Sequence, residues 1–432
     1  MSSPKPPPCS FAYLYERFPS FVQTFVYREA AEMVRQGMAP LLVSVRRPDE
    51  PAEVGAQVPL DAFYLPEEKE LRAAVDARRA ARKIGGKARR AIPQHRMEPD
   101  AQRMFEAIWL EPELRARGIQ HVHAHFGGLA ARTAWWLREL FGFTYSYTGH
   151  ANDIFCDTEF PITNATLARD ARFIVTETDH ALRWIEKRHP FAKGKVFRVF
   201  NGIDIAGFPP REPAGPVPLI VTVGRYVEKK GFDGLIAACA MLRKRGINFS
   251  CEIIGTGPLQ VFLAAHIERL GLSGQVRLVG AKSQEEVRRR LAAAELFVLA
   301  CQPDSDGGSD NLPTAIAEAM VAGVPVISTK LAGVPEMIAD GVDGLLVPVG
   351  DHHALCTAMA KLLTDRTLAR QFAAHARTSA ERKFAVQSTT RELKHLLVKH
   401  AGVQAPNEAR VLDPELPRAS QWQALRQRLA WR

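Results

Sequence analysis

The chain has 432 residues and carries 57 Lys and Arg against 47 Asp and Glu, a net charge of +10. Its composition, 46% hydrophobic and 24% charged, is that of a globular protein and excludes disorder as the main state. The length predicts two or three domains, which need no disulfide or metal to fold. The charge indicates an anionic partner, whether nucleic acid, a phosphate-bearing ligand or an acidic membrane surface.

The cysteines and the N-terminus bear on the compartment. The six cysteines are scattered without a C-x-x-C pair, so the sequence predicts neither a zinc knuckle nor a disulfide framework. The opening MSSPKPPPCS lacks the apolar segment of a signal peptide. No uncharged apolar run approaches the roughly 18 residues of a membrane-spanning helix. We therefore expect a cytoplasmic protein with reduced thiols, which can still touch a membrane surface.

Short β-like runs alternate with longer amphipathic segments along the chain. Many of these runs are nearly continuous in Val, Ile, Leu and Phe, as in strands buried on both faces. Alternating strands and helices predict an α/β fold with parallel, doubly wound sheets. The predicted strands are 9–14, 41–45, 121–125, 144–147, 172–176 and 195–199, then 219–223, 249–254, 275–279, 296–300, 324–328 and 344–347, and the predicted helices include 21–36 and 232–245.

One break divides the series. The run FNGIDIAGFPPREPAGPVP is dense in Gly and Pro, which predicts a linker at 205–217. We therefore expect an N-terminal domain at 1–204 and a C-terminal domain at 218–385, with C-terminal helices at 386–432 returning to the N-terminal domain. Ligands of open α/β sheets bind beyond the carboxyl ends of the strands. Two facing domains then place the site in the cleft between them.

The positive charge is concentrated in two segments. Residues 72–96 hold nine Lys and Arg against one Asp, or +8, and residues 405–432 hold five Arg against three acids, or +2, so the rest of the chain sums to zero. The first segment is either a solvated helix face or a contact with an anionic membrane, where each cation contributes ~1 kcal/mol. In 418–432, Trp and Leu alternate with Arg, which is typical of an interfacial helix or of docking to the N-terminal domain.

The densest functional signal lies in residues 301–338, CQPDSDGGSDNLPTAIAEAMVAGVPVISTKLAGVPEMI. A polar, glycine-bearing loop follows a predicted strand, and Pro313 predicts the first position of a helix, where its missing N–H costs nothing. The N-terminus of that helix is an anion site. Glu318 can reach its rim, where a carboxylate accepts hydrogen bonds from sugar hydroxyls. Asp310 lies in the loop and can face the same space.

This pattern resembles a known donor-site signature. A carboxylate, seven residues and the Glu of E-A-M, followed by G-V-P-V-I-S and A-G-V-P-E, is similar to family 4 glycosyltransferases. Those are retaining enzymes of the GT-B fold, in which two Rossmann-like domains face each other across a cleft. The resemblance implies that Glu318 binds the nucleotide ribose and that Asp310 lies by the donor sugar. The family usually has Glu at the first position, so the shorter Asp310 bears on donor choice.

A second element is VTVGRYVEKKGFDGLI, in which Gly224 lets the chain turn after a strand and Arg225 and Lys230 bracket a loop. Two cations at the carboxyl end of a strand suit a leaving diphosphate, because they neutralise charge as a metal ion otherwise would. The alternative is a pair of solvated surface cations. The resemblance implies that both cations contact the donor diphosphate, so we expect no metal and no other cofactor.

The nucleobase contacts are implied by VRLVGAKSQEEV, which matches the stretch that binds the base in the family. Backbone contacts leave little trace in a sequence, so the base stays open. The remaining donor contacts that the resemblance implies are Gly280, Ala281, Lys282, Asn311, Leu312 and Pro313.

The N-terminal half carries weaker signals. His150 in YTGHANDIF follows the predicted strand at 144–147, and the resemblance places such a histidine beside the donor sugar. Asp153, which we also expect on the acceptor side of the cleft, either orients His150 or caps the next helix. His123 and His125 flank a strand end, and because no third ligand has a recognisable spacing, we expect structural or substrate-loop roles rather than a metal site.

The opening ERFPSFVQTFVYREAAEMVRQG resembles colanic-acid-type exopolysaccharide glycosyltransferases. Those commonly read F-P-x-x-S-E-T-F, whereas this chain has Val22 and Gln23 in place of Ser-Glu. The resemblance implies that Pro19, Gln23 and Thr24 lie on the acceptor side of the cleft, and that the acceptor is a glycan or a polyprenyl-diphosphate-linked sugar. The enzyme would then lie in the cytoplasm or against the cytoplasmic face of the inner membrane.

Three alternatives remain beside a retaining transferase that uses a nucleotide-sugar donor. Asp304 and Asp306 form a D-x-D after a strand, as in metal-dependent glycosyltransferases, although two Rossmann-like halves argue against that class. A non-catalytic nucleotide-sugar or carbohydrate-binding protein would not need both the cations and the acidic pair. A nucleic-acid binder would need exposed aromatics among its basic residues, and residues 72–96 contain no aromatic side chain.

Overall fold

The computed structural model describes residues 10–20, 23–48, 60–156, 159–212, 215–305 and 307–404. Two parallel sheets, one in each half of the chain, form its framework. Among the described residues, no helix is both long and apolar enough to cross a membrane.

The N-terminal sheet has seven parallel strands in the order β3-β2-β1-β4-β5-β6-β7. The strands are β1 (Phe11–Arg17), β2 (Pro40–Arg46), β3 (Ala62–Tyr64), β4 (His121–His125), β5 (Thr144–Gly149), β6 (Ile174–Thr176) and β7 (Val196–Arg198). The helices are α1 (Thr24–Arg35), α2 (Glu68–Ala80), α3 (Gly86–His95), α4 (Ala101–Ala116), α5 (Leu129–Phe141), α6 (Ala151–Phe155), α7 (Asn164–Asp170) and α8 (Asp179–Arg188).

The C-terminal sheet has six parallel strands in the order β10-β9-β8-β11-β12-β13. The strands are β8 (Leu219–Val223), β9 (Ser250–Ile254), β10 (Val276–Gly280), β11 (Leu296–Leu299), β12 (Val326–Thr329) and β13 (Leu345–Val347). The helices are α9 (Phe232–Lys244), α10 (Gln260–Arg269), α11 (Gln284–Ala293), α12 (Thr314–Val321), α13 (Val334–Met337), α14 (His352–Thr364), α15 (Arg366–Phe384) and α16 (Val386–Ala401).

The predicted parallel, doubly wound sheets are confirmed, and each predicted strand overlaps an observed one. One strand, β3, escaped prediction, because its three residues AFY are only half-buried and give no periodic signal. The predicted basic segment at 72–96 divides between helices α2 and α3.

Each sheet reverses its strand order once, between β1 and β4 and between β8 and β11. The helices that follow the two strands at such a point lie on opposite faces of the sheet. The loops at the carboxyl ends of these strands therefore diverge and leave a crevice. The loops after β1, β8 and β11 therefore open onto two crevices, and these are the loops that carry most of the predicted site.

Helix α16 crosses back from the C-terminal half and packs on the N-terminal sheet. Its Leu393 and Leu397 are fully buried in a cluster that also contains Phe11 and Met33. The middle of α16 is anchored by Lys394, whose Nζ donates to the carbonyl of Gln36 at 2.9 Å. Helix α1, which carries residues of the cleft, is therefore held between the sheet and α16.

Candidate functional site

A cleft of about 380 Å³ lies at the carboxyl ends of the C-terminal strands and extends to the start of α1. Its lining contains several Lys and Arg side chains and two carboxylates, Asp310 and Glu318. The lining residues are Thr24 from the N-terminal domain and Val223, Gly224, Arg225, Val227, Lys229, Lys230, Ile254, Gly255, Thr256, Ala281, Lys282, Gln284, Val287, Arg288, Asp310, Thr314, Ala315 and Glu318 from the C-terminal domain.

The loop after β8 brings cations and an acid together. Lys230 Nζ lies 2.5 Å from Asp310 Oδ2, although 80 residues separate them in the chain. Gly231 adopts φ +60°, and a Cβ there would collide with the carbonyl of Ala300, so only glycine lets this loop approach the end of β11. The predicted cation and the predicted acid are therefore partners across the switch point of the sheet.

This pairing sets the charge state of Lys230. Burial opposes the charge of the ammonium group, but the Asp310 carboxylate outweighs burial and holds the pKa of Lys230 above its ordinary value. Lys230 is therefore a cation at neutral pH. Arg225 stands at the same strand end with an exposed side chain, and Lys229 Nζ lies 3.9 Å from Asp310 Oδ1.

The helix that was predicted to begin at Pro313 begins one residue later. Pro313 is the N-cap of α12, with φ −64° and an extended ψ of 100°, and Thr314 and Ala315 of the first turn line the cleft. The N-terminus of α12 nevertheless opens on the cleft, as an anion site requires.

Glu318, one turn into α12, forms an ion pair that the sequence did not indicate. Its Oε1 lies 2.6 Å from Nη2 of Arg28, which belongs to α1 of the N-terminal domain. The two side chains are 10% (Arg28) and 18% (Glu318) exposed. The donor-side carboxylate is therefore held by a residue of the opposite domain.

The residues predicted to meet the nucleobase lie opposite α12. Ala281 and Lys282 line the cleft directly after β10, which ends at Gly280 with φ +76°. Lys282 Nζ is 3.7 Å from Glu286 Oε1 in the first turn of α11. Arg288, also in α11, was not singled out from the sequence but belongs to the same wall.

The side chain of Asn311, which was predicted to contact the donor, is not among those that line the cleft. Its Oδ1 accepts from Thr178 Oγ1 at 2.6 Å, and its Nδ2 donates to Glu177 Oε2 at 3.3 Å. Both partners follow β6 in the N-terminal domain. The side chain of Asn311 therefore joins the two domains, immediately beside Asp310.

His150 follows β5 and is almost fully buried, at 5% exposure. Its Nδ1 lies 2.8 Å from Glu177 Oε1, and its ring packs between those of Phe25 and Phe126. His150 Nε2 is buried and has no hydrogen-bond partner among the described residues. Nδ1 is thus fixed by a carboxylate and Nε2 is the unpartnered ring nitrogen. His150 is not among the residues that line the cleft.

Asp153 does not orient the imidazole. Its carboxylate accepts from the backbone N–H of His150 at 3.0 Å and from that of Gly127, so it fixes the backbone of the loop after β5. Burial raises the pKa of Asp153 to about 6, despite the opposing influence of His150 and of the backbone donors. The imidazole is oriented by Glu177, which the sequence reasoning missed although it directly follows the predicted strand 172–176.

His123 and His125 are buried within the N-terminal sheet rather than arranged around a metal. His123 bridges Ser146 Oγ at 2.7 Å and Thr148 Oγ1 at 2.9 Å, and burial lowers its pKa well below the ordinary value. His125 Nε2 lies 3.0 Å from Glu29 Oε1. Across the described ranges, no group of three His, Cys, Asp or Glu side chains could hold a metal ion.

Of the residues predicted on the acceptor side, Thr24 lines the cleft. Gln23 is the N-cap of α1, and its backbone N–H donates to Ser20 at 3.2 Å. Pro19 lies in the same half-buried turn. This turn therefore positions the start of α1, which carries Thr24 and Arg28 to the cleft.

The D-x-D segment is only partly described. Asp304 accepts from the backbone N–H of Lys229 at 2.7 Å, and the Nζ of that lysine is 3.9 Å away, so Asp304 pins the basic loop after β8. Asp306 lies outside the described residues, as does the predicted segment 418–432.

The sequence missed a third contact between the domains. The carboxylate of Glu336, in A-G-V-P-E, accepts from the backbone N–H groups of Asp179 and His180, each at 2.7 Å. It thereby caps α8 of the N-terminal domain. Such a contact leaves no signal in sequence, because cap and helix are more than 150 residues apart.

Residues 208–379 match the protein family described as glycosyl transferases group 1. The chain is 37% identical over 201 residues to the colanic acid biosynthesis glycosyltransferase WcaL of Escherichia coli K12, which covers 45% of this chain and 49% of that protein. It is 36% identical over 182 residues to the amylovoran biosynthesis glycosyltransferase AmsK of Erwinia amylovora. This match covers 42% of this chain and 45% of AmsK. The matches thus span about half the length of these curated relatives.

The likeness in structure is broader than the likeness in sequence. The structure of Anabaena Alr3699/HepE in complex with UDP and glucose superposes with a TM-score of 0.66 at 16% identity, over 89% of this chain and 98% of that one. At that identity the comparison establishes the fold alone. The predicted arrangement of two Rossmann-like domains, the GT-B fold, is confirmed.

The contact with Glu177 predicts the titration of His150. Burial lowers the pKa of His150, but the Glu177 carboxylate outweighs burial and raises it above the ordinary value. We expect Glu177→Gln to lower the His150 pKa, as measured by NMR titration of the ring proton C2–H. The interaction between protonated His150 and Glu177 contributes its full stabilisation of the fold at pH values below the ordinary pKa of histidine. That stabilisation is lost as the pH rises through the raised pKa of His150.

The matched control is Glu186→Gln, since Glu186 lies in the same domain and contacts the backbone of Gly194 rather than His150. An unchanged His150 titration in Glu177→Gln would show that Glu177 does not set the charge of the imidazole.

Proposed function

We propose that this chain is a retaining glycosyltransferase, because residues 208–379 match the family described as glycosyl transferases group 1. It transfers a sugar from a nucleotide-diphosphate donor to a glycan or polyprenyl-diphosphate-linked acceptor during synthesis of an exopolysaccharide or other cell-surface polysaccharide. The observation that carries the proposal is one cleft that holds both the cations Arg225 and Lys230 and the carboxylates Asp310 and Glu318. The curated relatives WcaL and AmsK support the biosynthetic setting.

The donor would lie along the C-terminal wall. Arg225 and Lys230 take the diphosphate, since two cations and the N-terminus of α12 offset the charge that develops on the leaving group. Glu318 accepts hydrogen bonds from the ribose. The base lies against the backbone of Ala281 and Lys282. Anabaena HepE, which shares the fold, forms a complex with UDP and glucose, and this supports a nucleotide-sugar as the donor here.

The transfer needs few groups from the protein. The acceptor hydroxyl attacks the anomeric carbon from the side of the leaving diphosphate, the glycosidic bond to the phosphate breaks, and a donor phosphate oxygen takes the hydroxyl proton. Asp310, held by Lys230, lies by the donor sugar. His150 Nε2 donates a hydrogen bond to a sugar oxygen. Closure of the cleft between the domains excludes water and limits hydrolysis of the donor.

A second candidate function shares the cleft but not the reaction. A non-catalytic protein that binds nucleotide-sugars would use the same cations and Glu318. The buried His150, oriented by Glu177 and linked to Asp310 through Asn311, favours the enzyme, because binding alone does not require a fixed imidazole. Release or transfer of the sugar distinguishes the two functions.

We also propose peripheral attachment to the cytoplasmic face of an anionic membrane, through residues 72–96 and 418–432. Four of the nine cations in 72–96 are paired: Arg72 with Glu68, Arg78 with Glu111, Lys87 with Glu139 and Arg96 with Asp76. The others include the exposed Arg82 and Arg89, which line an open groove between α2 and α3 together with Arg79. This surface would hold the enzyme beside a lipid-linked acceptor.

Binding of nucleotides tests the site. We expect UDP, GDP or ADP to raise the melting temperature, since a ligand that binds only the folded state stabilises it. Glu318→Gln and Arg225→Ala should each weaken that binding and abolish transfer without lowering the melting temperature of the free protein by more than a few degrees. Arg289→Ala, on the exposed face of α11, is the matched control. Full activity in both variants would refute the site.

Removal of metal tests the role of the cations. We expect EDTA to leave transfer from the nucleotide-sugar donor largely intact, because Arg225 and Lys230 supply the positive charge at the diphosphate. The measurement is the initial rate with EDTA, then with Mg²⁺ or Mn²⁺ restored. Loss of activity that either metal restores would instead favour metal binding at Asp304 and Asp306.

Flotation with vesicles tests the membrane proposal. We expect the protein to float with phosphatidylglycerol vesicles at low salt and to be released as salt rises. Replacing Arg82, Lys83, Arg89 and Arg90 by Glu should abolish flotation. The control carries the same charge change on exposed residues of the C-terminal domain, namely Lys244, Arg289, Lys361 and Arg370 replaced by Glu. Equal flotation of the two variants would contradict a role for the basic groove.

A further inference from the structure

Arg28 is the one side chain of the N-terminal domain that forms an ion pair with an acid lining the cleft, among the contacts that the described residues make. Its Nη2 lies 2.6 Å from Glu318 Oε1, and 290 residues separate the two in the chain. Arg28 itself is not among the residues that line the cleft, whereas Glu318 is. Arg28 can therefore act on a ligand in the cleft through its contact with Glu318.

The guanidinium group of Arg28 is held in place by its own domain. Nη2 also donates to Thr24 Oγ1 at 2.8 Å, and Nη1 donates to the carbonyl of Gly202 at 3.4 Å. Helix α1, which carries Arg28, is packed between the N-terminal sheet and α16. Arg28 is thus a fixed point to which the carboxylate of Glu318 is attached.

We propose that Arg28 is a positioning residue for the donor nucleotide: it holds Glu318 by Oε1 and leaves Oε2 to accept hydrogen bonds from the ribose. This inference rests on the proposed function, in which Glu318 meets the donor. A glutamate side chain that is mobile before binding loses rotamer freedom when the ligand binds, and this loss weakens the affinity. Arg28 fixes the Glu318 rotamer beforehand, so the ligand meets a carboxylate already in place.

The charge of Arg28 supports the same role. The cleft has two acidic side chains, and each is paired: Asp310 with Lys230, and Glu318 with Arg28. The donor diphosphate is an anion, and an uncompensated Glu318 in a partly desolvated cleft would repel it. Arg28 offsets that repulsion without occupying the diphosphate site.

The position of Arg28 also makes the donor site depend on both domains. The Glu318 carboxylate is held only where α1 and α12 stand close, so a separation of the domains would release it. Glu336 provides the comparison, since it crosses the same boundary by capping α8 but is not among the residues that line the cleft. Loss of the Glu336 contact leaves the pair between Arg28 and Glu318 in place, whereas loss of Arg28 releases Glu318.

The test is isothermal titration of the full chain with UDP, GDP and ADP. For the nucleotide that binds the wild-type protein, we expect Arg28→Met to weaken binding about tenfold, as when one charge-assisted hydrogen bond is lost. Arg28→Lys should retain part of the affinity. Arg35→Met, an exposed position on the same helix, and Glu336→Gln should bind like the wild type.

A double-mutant cycle separates positioning from a general structural effect. If Arg28 acts through Glu318, Arg28→Met should cause no further loss in a Glu318→Gln background, because the carboxylate charge that it serves is gone. An additional tenfold loss there would overturn the proposal. So would an unchanged or tighter affinity in Arg28→Met, or an equal loss in Glu336→Gln.

The titration distinguishes a failure of the proposed function from a failure of the role proposed for Arg28. If the wild-type protein binds none of the three nucleotides, the proposed function fails; if it binds one and Arg28→Met binds it equally well, only the role of Arg28 fails. Thermal unfolding shows whether each variant is folded. If Arg28→Met does not fold, Arg28→Gln decides, and wild-type affinity in that neutral variant overturns the proposal.

Discussion

Two ion pairs between distant segments of the chain hold the acidic side chains of this cleft in place. Lys230 and Asp310 meet because β8 and β11 are neighbours at the switch point of the C-terminal sheet, and their carboxyl ends open at the same edge. Arg28 and Glu318 meet because α1 and α12 face each other across the two domains. Each acid is paired with a cation from another segment. The negative charge of both carboxylates is therefore already offset when an anionic ligand enters.

A second constraint is the buried polar cluster at the domain boundary. Glu177 accepts hydrogen bonds from His150 on Oε1 and from Asn311 on Oε2. The hydroxyl of Thr178 donates to the side-chain oxygen of Asn311. Gly333 belongs to this boundary, because a Cβ there would collide with the side chain of Thr178. Polar groups buried together must satisfy one another, so this cluster fixes how the donor loop stands relative to His150.

The fold was largely predictable from sequence, and the candidate site was predictable in part. Buried parallel strands leave continuous apolar runs, so the strands could be read with errors of a few residues, except for the short β3. Arg225, Lys230, Asp310 and Glu318 were found because they follow strand ends or begin a helix in a long motif. The side-chain partners of Asn311 were not predicted, because a loop sequence does not show which way an amide side chain points.

Sequence by itself determined the two parallel sheets and the presence of acids and cations near the strand ends of the C-terminal half. Local rules suffice there, because strand, cap and turn preferences act over a few residues. Only the tertiary structure decided the partners: Arg28 for Glu318, Glu177 for His150, and Glu336 for α8. Those pairs join residues far apart in the chain, and their distances depend on how two domains pack, which no local pattern encodes.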